Sequence, residues 1–109
     1  SENRWALMHE HRGDPEPGLE SLLTKLTPVD VVLVEGFKAH AHHKVEAHRN
    51  AIGAPLLAAT DPAIRAIASD TPLPNLDLPI FHLDDTAAIA RFILSAPHCT
   101  PAFRRDSAR

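Results

Sequence analysis

Residues 29–38 read VDVVLVEGFK and indicate the fold class of the chain. The segment 30–34 is rich in β-branched residues and apolar on both faces, a pattern typical of a central strand in a parallel sheet. Glu35 and Gly36 end this run at once. Because open α/β sheets bind ligands beyond the carboxyl ends of their strands, these two residues are the first candidates for a functional site.

The residues before this segment predict a strand followed by a helix. Residues 4–10, RWALMHE, form a short apolar run that fits a strand, and residues 11–18, HRGDPEPG, form a turn-rich connector. A helix should follow and end before Pro28, because one apolar face recurs at helical spacing, through Leu19, Leu22, Leu23 and Leu26. Strand, helix and buried strand make a βαβ unit, which predicts an α/β fold with a mostly parallel sheet.

The second half of the chain predicts shorter elements. Residues 44–48, KVEAH, alternate like a half-exposed strand, and residues 80–83, IFHL, fit a last short strand. The segment 60–70, TDPAIRAIASD, is too short to choose between a helical turn and a strand. Asp84 and Asp85 provide capping carboxylates for a helix with one apolar face, formed by Ile89, Phe92, Ile93 and Ala96.

Composition limits the classes of protein to which the chain can belong. The 109 residues can bury one modest core, and 44% of them are hydrophobic. A formal charge of −3 offers no general attraction for nucleic acid or an anionic membrane. The single cysteine, Cys99, cannot form an intrachain disulfide, and no apolar run approaches the ~18 residues of a membrane span. These features predict a cytoplasmic protein.

Glu35 and its neighbours suggest a metal–phosphate site. A carboxylate at the tip of a buried strand can hold Mg²⁺, which prefers one or two carboxylates together with substrate phosphates. Gly36 would let the backbone turn or approach a ligand, and Lys38 could meet a phosphate as a point charge. The alternative is that Glu35 is only the exposed end of a strand and Lys38 a solvated surface residue.

Two further groups of polar residues follow. Closely spaced His40, His42 and His43 could bind zinc or nickel, or they could be solvated loop residues. A second group shares one face of the strand predicted over 44–48, at every other position: Lys44, Glu46 and His48. That face could line a polar cleft, or it could be the solvated side of an edge strand. An exposed edge there could also pair with a second chain.

The whole stretch VDVVLVEGFKAHAHHKVEAHR resembles the Walker B region and following segment of the molybdopterin-guanine dinucleotide biosynthesis adapter proteins, protein B of that pathway. The resemblance extends over about residues 4–94. Its pattern consists of an acid, four apolar residues, an acid–glycine pair and a later basic–acidic alternation. In this chain the pattern is Asp30, residues 31–34, Glu35, Gly36, Phe37 and Lys38, then Lys44, Val45, Glu46, Ala47, His48 and Arg49.

The resemblance implies a three-layer, P-loop NTPase-like fold that is usually dimeric. The family binds GTP with Mg²⁺ and assists the guanylyltransferase that attaches GMP to molybdopterin, so other molybdenum cofactor biosynthesis proteins are implied partners. Glu35 would be the Walker B acid acting on Mg²⁺, and Gly36 would lie near the γ-phosphate. The nucleotide-binding set implied by the match is Glu35, Gly36, Phe37, Lys38, Lys44, Glu46, His48 and Arg49.

One departure from the family limits these expectations. The phosphate-binding loop of the form Gly, four residues, Gly, Lys, Ser or Thr is absent from the 109 residues, since no glycine is followed by lysine. We therefore expect residues 1–96 to be the C-terminal part of a P-loop GTP-binding domain or a naturally shortened form, and residues 97–109 to be a flexible tail. A weak GTPase activity would belong to the full-length protein, and this chain alone should be inactive.

Two alternatives to a GTP-binding adapter stay open, a second and a third hypothesis. The chain could be a dimerisation or partner-binding module that works without nucleotide. A third hypothesis, a histidine-rich metal carrier, depends on the group His40, His42 and His43.

Overall fold

The computed structural model describes residues 2, 4, 6, 8, 10–15, 17–36 and 40–95. Within these residues the chain forms helix α1 (Leu19–Leu23), strand β1 (Lys44–His48), strand β2 (Ile64–Ser69), strand β3 (Ile80–His82) and helix α2 (Thr86–Leu94). Two short 3₁₀ turns, Asn50–Ile52 and Leu57–Ala59, lie in the connection from β1 to β2. None of the described helices is long and apolar enough to cross a membrane. The predicted tail, residues 97–109, lies outside the described residues.

The three described strands form one parallel sheet in the order β1–β2–β3. Strand β2 is central, and at Ser69 it pairs with His48 on one side and His82 on the other. Its side chains are buried with the exception of Arg65, and Ile67 is fully enclosed. An α/β fold with a parallel sheet is therefore confirmed, and its core lies along β2.

The central strand is not the one that the sequence predicts. Residues 29–36 have no strand structure, and Val29 and Leu33 are 57% and 75% exposed. A segment that is apolar on both faces is stable as a central strand only when neighbours pair with both edges and cover both faces. In the described part of the chain β2 has those neighbours, so the central-strand prediction for 30–34 is wrong.

The βαβ unit predicted for the first 34 residues is also not formed. Residues 5, 7 and 9 of the predicted first strand lie outside the described residues, and the described residues of that segment have no strand structure. Helix α1 is shorter than predicted because its last turn tightens, with Leu26 N–H donating to the carbonyl of Leu23. Leu26 is left 37% exposed.

The elements predicted at the end of the chain are confirmed. The Asp85 carboxylate caps α2 by accepting a hydrogen bond from Ala88 N–H at 3.2 Å. The rings of Phe81 on β3 and Phe92 on α2 lie 5.5 Å apart between centroids, a normal distance for a packed aromatic pair. Helix α2 therefore packs against β3 through Phe92.

Candidate functional site

Glu35 and Gly36 form an exposed turn after the apolar segment. Gly36 has a φ of +79°, a conformation that side-chain-bearing residues rarely adopt. Among the described residues other than its chain neighbours, none has an atom within 4 Å of the position that a Cβ would occupy, so glycine is favoured here by backbone conformation. The predicted site residues Phe37 and Lys38 lie outside the described residues. The turn thus presents an accessible carboxylate next to an unhindered backbone.

Lys44 starts β1 and is tied to the connection that leads into β2. Its Nζ donates to the carboxylate of Asp61 at 2.7 Å, with the two side chains 14% and 29% exposed. The hydrogen bond from Lys44 lowers the pKa of Asp61 below its ordinary value, and a bond from Ala63 N–H acts in the same direction. Lys44 and Asp61 therefore form a half-buried ion pair.

Glu46 is the second predicted site residue on this strand, and its carboxylate accepts two backbone hydrogen bonds. They come from the amides of Leu57 and Ala58, each at 2.8 Å. These amides belong to the first turn of the 3₁₀ segment Leu57–Ala59, where donors have no partner within the turn. Glu46 therefore anchors that turn over the face of β1, and the segment that contains Asp61 follows directly.

His48 and Arg49 lie at the opposite end of β1. The carbonyl of His48 accepts a hydrogen bond from Asp70 N–H, and Arg49 leads into the 3₁₀ turn that follows the strand. Lys44 and His48 are four positions apart along the strand, roughly 13 Å at ~3.3 Å per residue. The structure thus divides the predicted set between two ends of the sheet, with Lys44 at the amino end and His48 and Arg49 at the carboxyl end.

An open cleft of about 550 Å³ lies at the amino ends of β1 and β2. Its lining comes from residues 40, 41, 43 and 44 and from residues 60–63, and includes His40, His43, Lys44 and Asp61. The prediction left open whether the polar face of β1 borders a cleft or solvent. Lys44 does border a cleft, whereas Glu46 is covered by the 3₁₀ turn that it anchors.

The histidines beside this cleft are crowded but do not form a metal centre. The rings of His40 and His42 lie 6.4 Å apart between centroids. Burial lowers the pKa of His42 below 6.5, and the positive charge of Lys44 lowers it further. Among the described residues, no three His, Cys, Asp or Glu side chains are placed to share a metal ion, and this includes the Glu35 turn and all three loop histidines.

Sequence reasoning did not identify Asp61 as a partner of Lys44, or the amides of Leu57 and Ala58 as partners of Glu46. These contacts join residues 11 to 17 positions apart, so no local periodicity reports them. The sequence feature that could have indicated these contacts is the alternation of Lys44 and Glu46 within a strand, which places both side chains on one face. If another segment covers that face, the two side chains need polar partners in it.

The parallel sheet and the acid–glycine turn define a small α/β protein, with no Gly-Lys-Ser or Gly-Lys-Thr within its 109 residues. Comparison with known proteins is more specific. Residues 1–70 match the family described as Molybdopterin guanine dinucleotide synthesis protein B, and the chain belongs to that family.

A curated relative is the "Molybdopterin-guanine dinucleotide biosynthesis adapter protein" of Escherichia coli (strain K12). It is 35% identical over 97 residues, which cover 86% of this chain. The match covers 55% of the relative, so the chain spans about half the length of that protein. No solved structure matches significantly.

Proposed function

We propose that this chain is part of an adapter protein in molybdopterin guanine dinucleotide formation and that its Glu35 turn contributes the acidic half of a GTP–Mg²⁺ site. The family match over residues 1–70 contains the whole turn, and the name of the curated relative supports the adapter role. The observation that carries the proposal is the exposed Glu35 carboxylate beside the left-handed backbone of Gly36.

The chemistry of the turn suits a magnesium–phosphate ligand. Mg²⁺ keeps several waters and takes few protein ligands when nucleotide phosphates supply the others, so one exposed carboxylate is a sufficient contribution from this side. The described residues beyond the chain neighbours of Gly36 do not crowd its backbone, which suits the approach of a phosphate group. Phe37 and Lys38 are further nucleotide contacts in this proposal. In this proposal His48 and Arg49 also contact the nucleotide, since they lie at the carboxyl end of β1 and α/β sheets bind ligands at that end.

Titration of the chain with Mg·GTP tests this proposal. The phosphate-loop sequence is absent from these residues, so we expect weak binding, with a Kd on the order of 1 mM. Substitution E35A should weaken Mg·GTP binding by about ten-fold, because loss of one metal contact typically costs that much affinity. E20A is the matched control, since Glu20 is an exposed acid on α1. Equal affinity of E35A and E20A for Mg·GTP would contradict the proposal.

The proposed partners are a molybdopterin guanylyltransferase and other proteins of molybdenum cofactor biosynthesis, together with a second copy of the chain. Strand β1 is an edge of the described sheet, because it pairs only with β2 among the described strands. An edge strand offers backbone donors and acceptors to another chain, so β1 is the proposed dimer contact.

A second function is favoured by the contacts of Lys44 and Glu46. Both are used inside the chain, Lys44 by Asp61 and Glu46 by the 3₁₀ turn. This suits a partner-binding module that does not need nucleotide. Pull-down of a molybdopterin guanylyltransferase with and without Mg·GTP separates the two functions. Capture that ignores Mg·GTP and survives E35A favours the module, whereas capture that Mg·GTP changes favours the nucleotide site.

A further inference from the structure

Basic side chains crowd the cleft at the amino ends of β1 and β2. Four of the five residues 40–44 are basic or can become so, and His40, His43 and Lys44 line the cleft. The carboxylate that faces them in the cleft is Asp61. The charges of Lys44 and Asp61 cancel, so protonation of any histidine in the cleft gives the cleft a net positive charge. An anion is the ligand that would balance this charge.

We propose that this cleft binds the phosphate group of a small phosphate monoester. Lysine and protonated histidine donate charge-assisted hydrogen bonds to phosphate oxygens, and these bonds are stronger than those between neutral groups. The cleft of about 550 Å³ falls within the usual ~300–1,000 Å³ range of small-molecule sites. Ala41, Pro62 and Ala63 provide an apolar wall for the organic part of such a ligand.

Asp61 holds Lys44 in place when no anion is bound. Its two oxygens accept hydrogen bonds from Lys44 Nζ at 2.7 Å and from Ala63 N–H at 2.9 Å. A phosphate group would have to share Lys44 with this carboxylate, so Asp61 opposes anion binding. Removing its charge should therefore strengthen phosphate binding. If Lys44 only supported the fold, removing the charge of Asp61 would not strengthen phosphate binding.

His42 reports on the charge of the cleft. Its ring is half-buried, and the charged or titratable groups that act on it are Lys44, His40, Asp61 and His43. Three of these disfavour its protonated form, and Asp61 alone favours it. A bound anion would favour protonated His42, and by linkage it should raise the pKa of His42.

The cleft is separate from the carboxyl end of the sheet. Lys44 begins β1 and Ala63 directly precedes β2, so the cleft borders the amino ends of two parallel strands. Ligands of α/β sheets normally bind at the opposite end. The phosphate site therefore does not depend on the proposed GTP–Mg²⁺ role of Glu35, and either proposal can fail alone.

NMR of the full chain with ¹H detection of the histidine ring protons tests the inference. Inorganic phosphate and phenyl phosphate are titrated separately without Mg²⁺. Both should produce saturable shifts at His40 and His43, and tighter binding of phenyl phosphate would identify an organic ligand over free phosphate. The pKa of His42 should also rise when phosphate is bound.

Substitutions then locate the site. K44M should weaken phenyl phosphate binding about ten-fold, whereas K25M, at an exposed position in the turn after α1, should leave it unchanged. D61N should strengthen binding several-fold. The inference is overturned if wild-type protein shows no saturable shift, if K25M weakens phenyl phosphate binding as much as K44M, or if D61N weakens it. The wild-type titration is decisive even if a variant does not fold.

Discussion

Replacing Glu46 by alanine removes both acceptors that anchor the 3₁₀ turn to β1. The carboxylate accepts from Leu57 N–H and Ala58 N–H at 2.8 Å each, and one of these bonds is half-buried while the other is exposed. The same turn also lies against the central strand β2. We therefore expect E46A to destabilise the region around β2 and not only the turn.

The magnitude of the loss follows from the hydrogen bonds. A bond to a charged acceptor contributes about 1.5–3 kcal/mol, and partial exposure of this pair places each bond near the lower value. Loss of both bonds should cost about 3 kcal/mol, less whatever the freed amides regain from water. E46Q keeps one acceptor oxygen and should cost about half as much. E20A should change stability by less than ~0.5 kcal/mol, because Glu20 is exposed.

Urea unfolding followed by circular dichroism measures these differences, provided that the slope with denaturant is the same for all variants. Hydrogen exchange gives a second readout, since the amides of Leu57 and Ala58 should lose protection in E46A. If E46A lies within ~0.5 kcal/mol of E20A, the carboxylate does not anchor the turn and the described contacts are not stabilising.

Three further predictions concern the core, a helix cap and a titration. I67A should cost about 2–5 kcal/mol because Ile67 is fully buried, whereas I52A should be nearly neutral because Ile52 is 72% exposed; thermal unfolding compares them. D85A should cost about 1 kcal/mol through loss of the cap of α2, and a similar Tm for wild type and D85A would refute that role. Burial and Lys44 lower the pKa of His42 in the folded protein, so the unfolded protein takes up a proton at this residue at higher pH than the folded protein does. The free energy of unfolding should therefore fall as pH drops below 6.5. H42Q should reduce this dependence on pH, as measured by urea unfolding at several pH values.

Local signals predicted β1, β3 and α2 correctly. The alternation of KVEAH, the carboxylate of Asp85 and the spaced apolar residues of α2 all act within one element, so the sequence reports them directly. Strand β2 could not be distinguished from a helical turn, because a short apolar run fits either structure. Its central place depends on pairing with both β1 and β3, which is a tertiary property.

The error over residues 30–34 has the same physical origin. A run of apolar β-branched residues forms a central strand only where neighbouring strands and packed layers bury it. In the described chain, β2 is the strand that is buried in this way. The acid–glycine turn that follows was predicted as a candidate site, and the structure confirms that it is exposed and that Gly36 has a positive φ. The nucleotide role of the turn stays a prediction.

The most direct test of the proposed function is the backbone amide of Gly36 in ¹H–¹⁵N NMR during a GTP titration. If Glu35 and Gly36 form the acidic half of a nucleotide site, this signal should shift with GTP when Mg²⁺ is present, and the shift should disappear with EDTA or in E35A. A Gly36 signal that does not respond to Mg·GTP in wild-type protein, or that responds equally without Mg²⁺, would contradict the account.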